Sequence, residues 1–179
     1  MIKLAFIVTD NFRDAELIET KSALSFSQKP KFEVDIASNT MEQLYGADGG
    51  KATPKLLIED IAVDNYDGIV LIGGPGMAEV LNNDTGTTQK IIEKVQAFNS
   101  AKKLVAAICI TPLALAKANI VKDKQLTAWN GDGKQREAIE AAGGMFTETK
   151  VVADNNILTA CGPAVAHNFG NAIREYFVV

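Results

Sequence analysis

The chain reads as an α/β domain, a mostly parallel sheet with helices on both faces. Three observations predict this. Apolar runs of strand length alternate with longer segments of helical period. The runs Gly68-Ile69-Val70-Leu71-Ile72 and Leu104-Val105-Ala106-Ala107-Ile108 lack apolar–polar alternation, as strands buried on both faces do. Residues suited to chemistry gather where the runs end, and open α/β sheets place their sites beyond the carboxyl ends of the strands.

Taken in order, residues 3–9 form the first strand and residues 13–28 a helix with Leu17 and Leu24 on its apolar face. Residues 32–38 are a second strand. Residues 43–53, with Gly46, Gly49 and Gly50, read as a hairpin at the edge of the sheet. Residues 68–72 run into Gly73-Gly74-Pro75-Gly76. Residues 84–101 are an amphipathic helix, with Asp84 or Thr85 as N-cap and Ile91, Ile92, Val95 and Phe98 as its buried stripe. The strand ending at Cys109 passes straight into a helix around residues 113–117. Residues 125–128 are a short strand, and residues 133–142 a helix closed by Gly143-Gly144. Strands at 146–152 and 156–160 precede a final helix at 163–177. No repeat, low-complexity segment or linker divides the sequence, so residues 1–179 are read as a single domain.

Composition narrows the function. Apolar residues make up 47% and charged residues 22%, as in ordinary soluble domains, and the net charge is -4. No basic surface is implied, which argues against nucleic acid or an anionic membrane as partner. The opening apolar run is too short for a signal-peptide core, and two cysteines without an export signal suggest a reducing cytoplasm. One His and two Cys fall short of the ligand set of a structural zinc site.

Cys109 is the leading candidate for chemistry. A sharp strand-to-helix break lifts the residue at the break out of the core, and a helix start lowers a thiol pKa. The same context suits a core cysteine that packs as a small hydrophobe. Gly73 and Gly74 would let backbone N–H groups approach a reacting carbonyl, with the Ile110 N–H as the second donor of an oxyanion hole. A tight turn would equally require glycine. Glu16 could meet the sulfur, donating a hydrogen bond when protonated and raising the thiol pKa when ionised, or it could be a solvated carboxylate in a first helical turn. Asp14 is assigned to capping that helix.

The stretches Asp14-Ala15-Glu16-Leu17, Leu71-Ile72-Gly73-Gly74, Ala106-Ala107-Ile108-Cys109 with Pro112, and Gly162-Pro163 resemble the ThiJ/PfpI superfamily in order and spacing. The resemblance covers residues 2–177. It implies a flavodoxin-like three-layer sandwich of the class I glutamine amidotransferase-like type. It also implies a nucleophile elbow at Cys109, an acid partner at Glu16 and an oxyanion hole from Gly74 and Ile110. Members are usually homodimers or higher homo-oligomers.

Departures from the pattern matter as well. The protease-like branch has His after the cysteine, where this chain has Ile110, so a cysteine peptidase lacks its general base. The residue before the elbow proline is usually Gly; here it is Thr111. Trp129 would roof the pocket, which Gly73, Pro75, Thr111, Cys161, Gly162 and Pro163 complete. Cys161 replaces the Arg of the deglycase-like branch. It is either a small buried residue or a thiol that resolves an oxidised Cys109 as a disulfide. His167, the one histidine, is assigned to packing or surface. The expectation is a cofactor-free, cysteine-dependent glyoxalase- or deglycase-like enzyme for small 2-oxoaldehydes or their early adducts. The alternative is a redox-sensing stress or chaperone-type protein acting through oxidation of Cys109.

Overall fold

Seven strands form one sheet in a computed structural model, which describes residues 1–26 and 30–178. In chain order the strands are β1 (Ile2–Ile7), β2 (Phe32–Ser38), β3 (Leu44–Tyr45), β4 (Lys51–Ala52), β5 (Leu56–Leu57), β6 (Gly68–Leu71), β7 (Leu104–Ile108), β8 (Gln125–Leu126), β9 (Met145–Phe146), β10 (Val151–Asp154) and β11 (Ile157–Ala160). The helices are α1 (Asp14–Ser25), α2 (Pro75–Asn83), α3 (Thr85–Ser100), α4 (Pro112–Lys117), α5 (Lys134–Ala141) and α6 (Ala166–Tyr176). The main sheet runs β10-β11-β7-β6-β1-β2-β5, and only the β10–β11 pairing is antiparallel. From β1 the chain crosses to β2 on one side and later to β6 on the other, so strand order reverses between β1 and β6. A crevice opens at such a point.

Apolar continuity along the strands follows from this layering. Leu4, Phe6, Val70, Ala106 and Ile108 bury one face of the sheet against Leu17 and Leu24 of α1 and Phe169 and Ile173 of α6. Ala5, Ile7, Ile69, Leu71, Val105 and Ala107 bury the other face against α2, α3 and α4. Alternate residues serve opposite faces, and both faces are buried. The expected stripe on α3 is present: Ile91, Val95 and Phe98 are fully buried, while Ile92 is half-buried. Its N-cap is Asp84, which accepts the Thr87 N–H at 3.0 Å.

Several boundaries differ from the sequence reading. Helix α2 was not expected, because Gly73-Gly74-Pro75-Gly76 reads as a loop; yet Gly74 and Pro75 serve as its N-cap and first residue. The 43–53 hairpin forms, but as its own two-stranded ribbon, while β5 is the edge of the main sheet. The ribbon is held instead to the segment after β1, where the Asn11 N–H donates to Tyr45 O and the Ala47 N–H to Phe12 O. Residues 146–152 are not one strand. The Thr149 N–H turns back onto Thr147 Oγ1, separating β9, which pairs with β8, from β10. The expected strand at 125–128 stops at Leu126, since the Thr127 N–H goes to the Thr159 hydroxyl. Residues 27 and 28 of the expected first helix lie outside the described residues.

Candidate active site

Cys109 closes β7 in a left-handed conformation, φ 67°. For a non-glycine residue this costs about 1–2 kcal/mol, and the surroundings fix it from both sides. Its N–H donates to Ala160 O at 2.9 Å, and its carbonyl accepts the Trp129 N–H at 2.8 Å. The turn brings the half-buried thiol to the carboxyl end of the sheet, against both hydrophobic cores. Thr111 needs none of glycine's freedom, with φ -71° and ψ -18°. Its buried hydroxyl sits 2.8 Å from Ile108 O and 3.1 Å from Leu71 O, tying the elbow to β6. Thr111 therefore braces the site from below and does not line the pocket.

Glu16 enters from the first turn of α1 and is fully buried. Its Oε2 accepts the Gly73 N–H at 2.8 Å. Its Oε1 has no regular hydrogen-bond partner, although the carboxyl lies close enough to the Cys109 thiol to couple with it. Gly73 is packed between the two: a Cβ there would lie 2.9 Å from Glu16 Oε2 and 3.0 Å from Cys109 Cβ. Gly74 adopts φ 126°, and a Cβ would collide with the backbone of Phe12 and Arg13. The two expected oxyanion donors thus sit on either side of the elbow. Among the described residues, the Gly74 N–H has no acceptor, and the Ile110 N–H is near enough to the Cys109 sulfur to favour its charged form.

The electrostatics of the pair differ from the sequence expectation. Burial pushes Glu16 up to about 7, against smaller opposing effects of Cys109, the Gly73 N–H and Arg13. Burial and the neighbouring Glu16 carboxylate push the Cys109 thiol well above its ordinary value; the Ile110 N–H and Arg13 pull it down without compensating. The expected ionised sulfur is therefore disfavoured, and the pair takes the form in which an ionised Glu16 raises the thiol, one of the two forms that the sequence leaves open. Helix α4 has only six residues, and the adjacent carboxylate opposes a second negative charge.

A pocket of about 320 Å³ opens above the sulfur, lined by Arg13, Gly74, Pro75, Ala78, Cys109, Ile110, Trp129 and Pro163. Trp129 is 41% exposed and forms part of the wall. Gly73, Thr111, Cys161 and Gly162 lie beneath or beside this space and do not line it. Cys161 is half-buried against the α1–α6 core. It directly follows Ala160, which pairs in register with Ile108, so the two cysteines succeed paired residues on adjacent strands. His167 is on the surface, its Nδ1 3.5 Å from Glu19. Asp14 does not cap α1; its carboxylate accepts the Asp48 N–H at 2.8 Å and the Gly50 N–H at 2.5 Å, clasping the β3–β4 turn. Arg13 and Ala78 were missed by the sequence reading. Ala78 belongs to the unexpected α2, while Arg13 is the residue immediately before α1.

An uncharacterized protein of Methanocaldococcus jannaschii is 36% identical over 167 residues, covering 93% of this chain and 78% of its own. Deglycase PfpI of Pyrococcus furiosus is 28% identical, covering 90% and 91%. The crystal structure of a ThiJ/PfpI domain protein from Brachyspira murdochii superimposes with a TM-score of 0.88 at 21% identity, covering 98% of this chain and 96% of that one. The DJ-1/PfpI family model matches residues 2–176. That match spans β1 to the end of α6 and takes in the elbow, the buried acid and both glycines, so the chain belongs to the DJ-1/PfpI family.

Proposed function

We propose that this protein is a cofactor-free, cysteine-dependent enzyme of the glyoxalase or deglycase type, acting on small 2-oxoaldehydes or their early adducts. The observation that carries this reading is the Cys109 elbow with Glu16 buried against it, raised to about 7. A carboxyl poised near neutral pH serves as both base and acid. Glu16 takes the thiol proton as sulfur adds to the aldehyde carbon, giving a hemithioacetal. The developing oxyanion is met by the Gly74 and Ile110 N–H groups. Glu16 then relays a proton from C1 to C2, forming a thioester of the 2-hydroxy acid. Water releases the acid and restores the thiol, so that oxoaldehyde plus water gives hydroxy acid. A relative that carries the name deglycase supports this class. A peptidase finds less support, since Ile110 offers no base.

Steady-state assay with methylglyoxal tests the reading. Cys109→Ala should abolish turnover and Glu16→Gln should lower it about 100-fold or more, in the range of general acid–base contributions. Equal rates in parent and variants overturn it. Both cysteines follow paired strand residues, Ile108 and Ala160, which supports a second reading, a redox response. In it, a peroxide oxidises the Cys109 sulfur to a sulfenic acid, and the Cys161 thiol displaces water to form a disulfide. Mass spectrometry after mild peroxide treatment tests it; an unmodified Cys109 removes it.

A further inference from the structure

The pocket walls are apolar except for one charge. Among the described residues, Arg13 is the only charged side chain lining the space, and the acid nearest the sulfur, Glu16, is sealed beneath it. Among the described residues, the guanidinium has one side-chain partner: Nη1 lies 3.4 Å from Asp48 Oδ2, on a carboxylate that is 60% exposed. An exposed pair of this length holds its arginine weakly. Of five N–H donors, most remain free for a ligand. The backbone places Arg13 firmly. Its N–H donates to Gly73 O at 3.0 Å, so the residue stands at the rim where the segments after β1 and β6 meet. Its charge acts on both Cys109 and Glu16.

We propose that Arg13 makes this pocket selective for small carbonyl compounds that carry a carboxylate, holding the anion while the carbonyl faces Cys109. A planar guanidinium matches a carboxylate through paired, charge-assisted hydrogen bonds. The 320 Å³ space equals roughly ten water volumes, which admits an acid of three or four carbons. The identity of the reacting group rests on the function proposed above; the anion preference stands on the pocket itself.

The test is an acid–amide comparison on the Cys109→Ala protein, where no adduct can form. Trp129 is the sole tryptophan and lines the pocket, so its fluorescence reports occupancy. Lactate should bind about 10- to 100-fold more tightly than lactamide, the range for hydrogen bonds to charged groups. Arg13→Gln should bring the ratio close to one without weakening the amide. Its backbone hydrogen bond survives the substitution, and circular dichroism should match the parent. Asp48→Asn, which frees the guanidinium, should preserve or raise the ratio. Equal binding of acid and amide, no response to either, or a preference that survives Arg13→Gln overturns the proposal. Loss of preference with methylglyoxal turnover intact removes only the selectivity. Absence of turnover with the preference intact removes only the glyoxalase reading.

Discussion

Glu16→Gln should abolish a pH dependence of stability that the parent shows between pH 4.5 and 7. Burial raises the Glu16 carboxyl from 4.5 to about 7 in the folded state. The folded protein then binds a proton that the unfolded chain has released, so stability falls as pH rises through this window. The shift is 7 − 4.5 = 2.5 units, or about 3 kcal/mol at 1.36 kcal/mol per unit. Roughly 2.5 kcal/mol of it falls between pH 5 and pH 8. Glutamine keeps an acceptor for the Gly73 N–H and carries no charge. Urea unfolding of both proteins at pH 5 and pH 8 isolates the effect as a double difference, because the other titrating groups are common to both. The parent should lose about 2.5 kcal/mol more than the variant over this range. Parallel losses within about 0.5 kcal/mol would show that Glu16 ionises without penalty in the fold, and the account of the thiol–carboxyl pair would fail with it.

Alkylation of Cys109 by iodoacetamide at pH 7.5 should be slower than that of a free thiol, and Glu16→Gln should accelerate it, because the amide removes the charge that pushes the thiol up. Gly73→Ala should cost about 1–3 kcal/mol in urea unfolding, since its Cβ would press on Glu16 and Cys109 together. Asp14→Ala should cost about 2 kcal/mol, read as a lower thermal midpoint, through loss of the two hydrogen bonds to the ribbon turn.

The main strands were legible because burial on both faces writes an unbroken apolar run, and β6 and β7 show this plainly. Cys109 and Glu16 were legible as strand-end residues, and their meeting is what the fold supplies. Helix α2 was hidden because Gly and Pro punctuate loops and helix starts alike; the spacing of Met77, Val80 and Leu81 was the signal available. The role of Asp14 was misread because an acid at a helix start looks the same whether it bonds its own helix or a distant turn. The thiol's pKa could not be read from the sequence, since it depends first on the thiol's own burial and then on how deeply Glu16 is buried beside it. That depth is set by α1 packing on α6 and by the close approach of Gly73.

The grip of Asp14 on the β3–β4 turn reaches beyond the stability of that ribbon. The same turn that donates the Asp48 N–H to Asp14 delivers the Asp48 carboxylate to Arg13. Lengthening or shortening the loop between Gly46 and Gly50 would therefore retune the charge at the mouth of the cavity, although no residue of that loop belongs to its walls.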